Sequence, residues 1–200
     1  MPTAILPAAG SSSRMGRRKL LLPFAETTVL GATVAALRGG GVSEIVVVAA
    51  PADEALAAQA ASLGARVAIN PEPERGMLTS IWAGLAAVGG AAACAERGDW
   101  LLVCPADLPL LKGETVAALL RQAASGDALL VVPRNGETRG HPLLIHPRLT
   151  LEIADLEPAV GLRQLRWRHR ERTLEVEVAD AGVIADVDTP EDYAALSGDL

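Results

Sequence analysis

The sequence predicts an α/β fold of three layers, α/β/α, around a mostly parallel central sheet, and two observations carry that prediction. Short apolar runs alternate with longer helical stretches along the chain, which is the rhythm of repeated β–α units. Several runs, among them Glu44–Ala49 and Trp100–Cys104, are near-continuous in Val, Leu and Ile, as in strands covered on both faces.

Strands are expected over Ala4–Pro7, Glu44–Ala49, Arg66–Ile69, Trp100–Cys104 and Ala128–Pro133. Between them, Thr28–Arg38 places Leu30, Val34 and Leu37 on one helical face. Asp53–Leu63 is Ala-rich and stops at Gly64, a C-cap signal; Met77–Val88 and Glu114–Ala124 complete the helical set. The last third is less regular: His141–His146 extended, Ala159–Arg168 helical, Leu174–Val178 extended, and Pro190–Leu196 a closing helix with Pro in its first turn. With no Ser/Gly linker and no repeat, one domain over residues 1–200 is expected. Ligands in such folds sit outside the carboxyl ends of strands, so functional loops should follow strands.

Composition narrows the function classes. Half the residues are hydrophobic but only 2% are aromatic, so Ala, Leu and Val must fill a core suited to close packing of helices on a sheet. A formal charge of -6 argues against a general nucleic-acid binder. The two cysteines, Cys94 and Cys104, are too few for a disulfide scaffold and fit no zinc spacing; Cys104 reads as a buried strand residue. The N-terminal residues lack a basic n-region and a long apolar h-region, and no apolar run approaches a membrane span. A soluble cytoplasmic protein with no membrane and no nucleic-acid partner is expected.

The richest local signal follows the first strand: Leu6-Pro7-Ala8-Ala9-Gly10-Ser11-Ser12-Ser13-Arg14-Met15-Gly16-Arg17-Arg18-Lys19-Leu20. Small residues let backbone N–H groups approach an anion, and glycines permit the turns that aim them inward. Arg14 offers a bidentate fork and Lys19 a compact charge for phosphate oxygens; Lys19 and Lys112 are the only two lysines. The spacing is neither that of a Walker A loop nor that of a dinucleotide fingerprint. The alternative is a solvated basic loop.

Three further segments follow in order. Asn70 to Leu85 follows the third strand and carries Gly76 and Ser80, the latter in the first helical turn, where a helix N-terminus favours negative or polar ligand groups; a simple N-capped helix is the alternative. Asp107, in Val103-Cys104-Pro105-Ala106-Asp107-Leu108-Pro109, ends an apolar strand and offers the hard carboxylate oxygens that Mg²⁺ takes; otherwise it is an Asp turn or helix cap. Last come Arg139-Gly140-His141-Pro142 and Asp186-Val187-Asp188-Thr189-Pro190. His141 is either a phosphate partner or a structural histidine, and Asp188 is either a rival metal ligand or the cap of the helix opened by Pro190.

Taken together and in this order, from Leu6 to Asp192, these segments resemble the MobA-like nucleotidyltransferases. In that family a small-residue turn is followed by Arg-Met-Gly, a short spacer and Lys, here Arg14-Met15-Gly16 and Lys19. Ala8-Ala9-Gly10 is similar to the molybdenum cofactor cytidylyltransferase subgroup, whereas guanylyltransferase relatives usually have Gly-Gly. The Pro105-Ala106 pair departs from many relatives. The resemblance implies a Rossmann-like fold of the nucleotide-diphospho-sugar transferase type. Its NTP-binding part would cover about residues 1–110 and its acceptor-binding part about 111–200.

The resemblance further implies transfer of CMP from CTP to the phosphate of molybdopterin, with pyrophosphate released. It implies nucleotide contacts from Pro7, Ala8, Ala9, Gly10, Ser11 and Ser12, from Arg14, Met15, Gly16 and Lys19, and from Asn70, Gly76, Ser80 and Asp107. Arg14, Lys19 and Asp107 would be catalytic, Gly140, His141 and Pro142 would meet the acceptor, and Asp107 with Asp186 would hold Mg²⁺. A molybdoenzyme or its maturation chaperone is the implied partner. A guanylyltransferase or sugar-phosphate nucleotidyltransferase of the same fold stays open, as does a non-catalytic nucleotide-binding maturation protein. A cluster at Arg163, Arg166, Arg168, His169, Arg170 and Arg172 is either a solvated face or a docking surface for an anionic acceptor or a partner enzyme.

Overall fold

The computed structural model describes residues 1–10 and 18–197. Its strands are β1 (Thr3–Pro7), β2 (Pro23–Phe24), β3 (Thr27–Thr28), β4 (Glu44–Ala49), β5 (Arg66–Ile69), β6 (Leu101–Val103), β7 (Leu130–Asn135), β8 (Thr138–Arg139), β9 (Leu143–Ile145) and β10 (Thr173–Glu177). Its α-helices are α1 (Val29–Gly39), α2 (Glu54–Ser62), α3 (Met77–Ala87), α4 (Gly90–Arg97), α5 (Gly113–Ser125), α6 (Arg163–Arg168) and α7 (Pro190–Ser197). The main sheet runs β10-β7-β9-β6-β1-β4-β5, with β8 hairpinned onto β7, while β2 and β3 pair separately. The contacts of β1 with β4 and β6, of β4 with β5, and of β7 with β10 are parallel; β9 runs antiparallel between β6 and β7. The sheet is therefore mostly parallel, as the apolar strand runs predict.

Alternation along β1 separates the two faces. Ala4 and Leu6 join a core with Leu30, Leu56 and Leu119 from α1, α2 and α5. Ile5 joins the opposite core with Leu78, Ile81 and Leu85 from α3. Each fully buried Leu or Ile contributes about 1.5–3 kcal/mol by leaving water. Small residues then set the layer spacing. A Cβ on Gly84 would lie 2.6 Å from Ile5 Cγ2, so α3 packs directly on β1. A Cβ on Gly40 would lie 2.4 Å from Val116 Cβ, at the meeting of α1 and α5.

Caps fix where the helices begin. The Thr28 hydroxyl accepts from Gly31 N at 3.0 Å and the Asp53 carboxylate from Leu56 N at 3.3 Å. Gly64, just past the Leu63 cap of α2, has φ +69. α4 was not expected; it opens at Gly90 after the Gly89 cap, both at positive φ, directly behind α3, and two adjacent glycines read as a break rather than as a helix start. The segment expected as helix over Ala159–Arg168 is helical only from Arg163, and a 3-10 stretch, Pro147–Asp155, precedes it. No single helix among the described residues is long and apolar enough to cross a membrane; α3 and α4 together reach that length only across a 64° bend. Both cysteines are free and buried, and desolvation raises both thiol pKa values.

Candidate active site

From β1 the chain winds outward through β4 and β5, then returns to β6 on the other side of β1. β1 and β6 therefore flank the topological switch point, where α/β sheets bind ligands. Their carboxyl ends open into a cavity of about 470 Å³. One wall is Pro7, Ala8 and Gly10 after β1 with Pro105, Ala106 and Asp107 after β6. The lining also takes in Thr138 to His141, ahead of β9, and Asp186 and Asp188, ahead of α7.

Lys19 reaches into this cavity from a 3-10 turn that buried Leu20 anchors to the core. Its Nζ lies 2.5 Å from Asp107 Oδ2 and 2.9 Å from Asp188 Oδ1. The backbone joins the two acidic segments independently, because Val187 N donates to the Asp107 carbonyl at 3.1 Å. Leu108 N donates to Thr33 Oγ1 at 3.1 Å, tying the Asp107 loop to α1.

Burial and neighbouring charges shift the ionisable groups of the site. Burial lowers the Lys19 pKa, but hydrogen bonds and the charges of Asp107 and Asp188 outweigh it and hold the ammonium above its ordinary value. Burial raises the Asp186 pKa, and repulsion from Asp107 and Asp188 adds to it against its own backbone N–H and Lys19. Among the described residues three carboxylates thus face one ammonium, and these oxygen donors suit a hard divalent cation. The Lys19 ammonium already stands as a cation between Asp107 and Asp188. Among the described residues no three acid, His or Cys side chains converge tightly enough to hold an ion alone. A hard divalent ion bound there would take one or two of these carboxylates and complete its shell with water and substrate phosphates.

Most of the predicted residues that are described meet here: Pro7, Ala8, Gly10, Lys19, Asp107, Gly140, His141 and Asp186 line the one cavity. Ser11, Ser12, Arg14, Met15 and Gly16 lie outside the described residues. Ala9 and Pro142 are buried. Asn70 and Ser80 turn away from the cavity: Asn70 Nδ2 donates to Thr79 Oγ1 at 2.8 Å and to Ser80 Oγ at 2.9 Å, and Asn70 Oδ1 accepts from Glu72 N at 3.0 Å. These side chains brace the turn before α3, and the lining residue of that segment is Met77, next to Gly76 at φ +106. Thr189 and Asp192 cap α7 reciprocally, with Asp192 N donating to Thr189 Oγ1 at 3.1 Å and Thr189 N to Asp192 Oδ2 at 2.8 Å.

The His141 ring opens onto the cavity but is walled by protein elsewhere. That desolvation first, then the Arg166 charge, lowers its pKa, against the pull of Asp107 and a hydrogen bond to the Val103 backbone. Gly140 serves packing: a Cβ there would lie 2.4 Å from Val183 O, the atom that accepts from His141 N at 2.8 Å. Gly140→Ala should therefore destabilise the fold by about 1–3 kcal/mol through overpacking, measured as a lower urea midpoint with an unchanged slope.

Sequence reading missed Asp180. It is 6% exposed, and its carboxylate accepts from Lys112 N at 3.0 Å, Thr115 Oγ1 at 2.7 Å and Gly182 N at 3.0 Å. The Asp-x-Gly spacing was the available signal for its turn; the partners on α5 had none.

The MobA-like NTP transferase domain matches residues 4–173. The chain is 25% identical to the molybdenum cofactor cytidylyltransferase of Escherichia coli (strain K12), over 94% of this chain and 92% of that one. It is 31% identical to the nicotine blue oxidoreductase of Paenarthrobacter nicotinovorans, over 97% and 95%. It is 30% identical to the phosphoenolpyruvate guanylyltransferase of Rubrobacter xylanophilus (strain DSM 9941 / JCM 11954 / NBRC 16129 / PRD-1), over 94% and 87%. The crystal structure of Rv0371c from Mycobacterium tuberculosis H37Rv superposes with a TM-score of 0.82 at 28% identity, covering 100% and 99% of the two chains. The manganese complex of Rv0371c matches with a TM-score of 0.75 at 26% identity, over 99% and 98%. The family match begins in β1, takes in the whole switch point with Asp107 and His141, and ends where β10 starts, so this chain belongs to the MobA-like NTP transferases and is a nucleotidyltransferase.

Proposed function

We propose that this nucleotidyltransferase moves CMP from CTP to the phosphate of molybdopterin or its metal-loaded form, releasing pyrophosphate. The observation that carries this reading is the convergence of Lys19, Asp107, Asp186 and Asp188 on one cavity at the switch point. CTP is favoured by Ala8-Ala9-Gly10 and by the near full-length likeness to a cytidylyltransferase. The nucleotide belongs to the wall built from about residues 1–110 and the acceptor to the wall built from about 111–200, within one domain.

In this mechanism an acceptor phosphate oxygen attacks the α-phosphorus in line. The new P–O bond forms as the bond to the β-phosphate oxygen breaks, and pyrophosphate leaves with that electron pair. No covalent enzyme intermediate is required; positioning and charge neutralisation supply the rate. Lys19 and Arg14 meet the charge that grows on the α-phosphate and the leaving group. Asp107 positions Lys19, and His141, neutral at pH 7, hydrogen-bonds the acceptor beside Gly140 and Pro142. Ser11, Ser12, Met15 and Gly16 wrap the phosphates, while Ala9, Asn70, Gly76 and Ser80 support the nucleoside side. Mg²⁺ held by Asp107 and Asp186, with Asp188 as the rival ligand, supplies charge neutralisation at the reacting phosphates when bound. We place the enzyme in the cytoplasm, handing its product to a molybdoenzyme or its maturation chaperone.

A guanylyltransferase reading has its own support in the guanylyltransferase relative, and fold alone does not decide chemistry, as the relative named an oxidoreductase illustrates. The deciding experiment incubates the protein with molybdopterin, or its molybdate-loaded form, Mg²⁺ and each NTP in turn, reading pyrophosphate and product mass. CTP should give the cytosine dinucleotide fastest. A faster guanine product would move the assignment to a guanylyltransferase, and CTP binding without turnover would make the protein a nucleotide-binding maturation factor.

A further inference from the structure

The basic cluster in the last third divides into two halves. Arg168 and His169 face Glu152 at 3.6 and 3.0 Å, and Arg172 faces Asp127 at 3.4 Å. Arg163, Arg166 and Arg170 have no ion pair among the described residues. Arg166 and Arg170, with Arg139, Trp167 and Glu175, line a groove of about 170 Å³. The only acid among the described lining residues, Glu175, is already engaged by Arg139 at 2.5 Å and approached by Arg134 at 3.9 Å.

Two observations join this groove to the active site. Arg139 lines both the groove and the cavity, and the Arg166 charge is felt at His141 on the cavity wall. Arg166 is half-buried beside two like charges: burial, then Arg139 and Arg163, depress its pKa. Arg163 and Arg166 lie together with no ion pair among the described residues, and the one nearby acid, Glu175, is shared with Arg139 and Arg134; such cations are stabilised when an anion enters, and guanidinium forks suit oxyanions. The groove also exposes the Trp167 ring, 65% accessible, a large flat apolar face beside the cations.

We infer that Arg166 and Trp167 form an acceptor subsite, in which the end of the acceptor remote from its reacting phosphate extends past Arg139, lays a flat ring on Trp167 and places an oxygen-rich, anionic group against Arg166. This rests on the acceptor assignment proposed above. It makes the groove a selector for acceptors with a planar, oxygen-bearing body and against short phosphate esters. No bond forms or breaks there, so Arg166 is a binding residue.

The test separates binding from turnover. Molybdopterin is titrated into wild type, Arg166→Gln, Arg166→Lys and Trp167→Phe without NTP, with intrinsic tryptophan fluorescence as readout, and CTP affinity is measured in parallel. Wild type should show saturable quenching that Trp167→Phe largely abolishes. Arg166→Gln should weaken binding about tenfold, the effect of losing one charge-assisted contact, with Arg166→Lys intermediate and CTP affinity unchanged in all. Because Arg166 has no ion pair among the described residues, these variants should fold as wild type does. Equal molybdopterin affinity in wild type and Arg166→Gln, or no quenching in wild type, would overturn the subsite. Saturable, Arg166-dependent quenching without any product from any NTP would keep the subsite and remove the transfer assignment instead.

Discussion

Lys19→Ala is expected to slow nucleotidyl transfer about a hundredfold or more, the scale of removing one preorganised charge partner from a transition state. The loss should fall on kcat and kcat/KM alike, because the ammonium matters most as charge grows on the departing pyrophosphate. The fold should survive, since the 3-10 turn is anchored by Leu20 and not by the lysine head. Asp107 and Asp188 would then face each other without the ammonium that now lies 2.5 and 2.9 Å from them. A divalent cation should therefore raise the Tm of the variant more than that of wild type. The pH dependence has a definite sign. The Lys19 pKa is raised in the folded state, so its stabilisation is fully present below its unfolded value of about 10.5 and is lost as pH rises through the folded value. Wild type should lose more stability than Lys19→Ala in that alkaline window. Near-normal turnover in Lys19→Ala would remove this residue from the mechanism.

Most of the regular elements were legible because they were written locally, α4 being an exception. The bounds of β4 and β5 follow directly from apolar runs ended by Pro51 and Asn70. Asp107 was legible for a similar reason, as an acid closing a strand with proline on each side. What resisted reading was anything decided by a distant partner. β9 runs antiparallel between β6 and β7 because the β7–β8 hairpin turns the chain back, and an apolar triplet, Leu143–Ile145, carries no direction. Asn70 and Ser80 sit in a recognisable segment, but their polar atoms are taken up by each other, by Thr79 and by Glu72. Gly140 lines the cavity, and its smallness also answers to the Val183 carbonyl, a distant partner. Asp186 and Asp188 both line the cavity, and the cap at the start of α7 comes from Asp192, which accepts from Asp188 N and Thr189 N, a pairing that the Asp-Val-Asp spacing does not show.

Asp180→Ala should cause the largest loss of stability outside the core, although the Asp180 carboxylate does not line the cavity. Three donors, Lys112 N–H, the Thr115 hydroxyl and Gly182 N–H, converge on one carboxylate. Truncation strands them in a place where water has little access, and each stranded group costs about 1–3 kcal/mol. With partial relaxation the sum is roughly 3 kcal/mol or more, a Tm decrease of roughly 10 °C in a chain of this size. Asp180→Asn should lie in between, because one amide oxygen can still accept while the NH₂ group confronts the remaining donors. The chain has little freedom to readjust: a Cβ on Gly182 would meet the Leu110 carbonyl at 2.2 Å, so the segment is pressed against the loop after Asp107. That segment continues into Val183, whose carbonyl accepts from His141 N, and into Val187, which donates to the Asp107 carbonyl. Loosening Asp180 should therefore also lower kcat at temperatures where the variant remains folded, by letting Asp186 and Asp188 drift relative to Asp107. Wild-type stability and wild-type kcat in Asp180→Ala would show that the acidic loop is held by its backbone contacts alone.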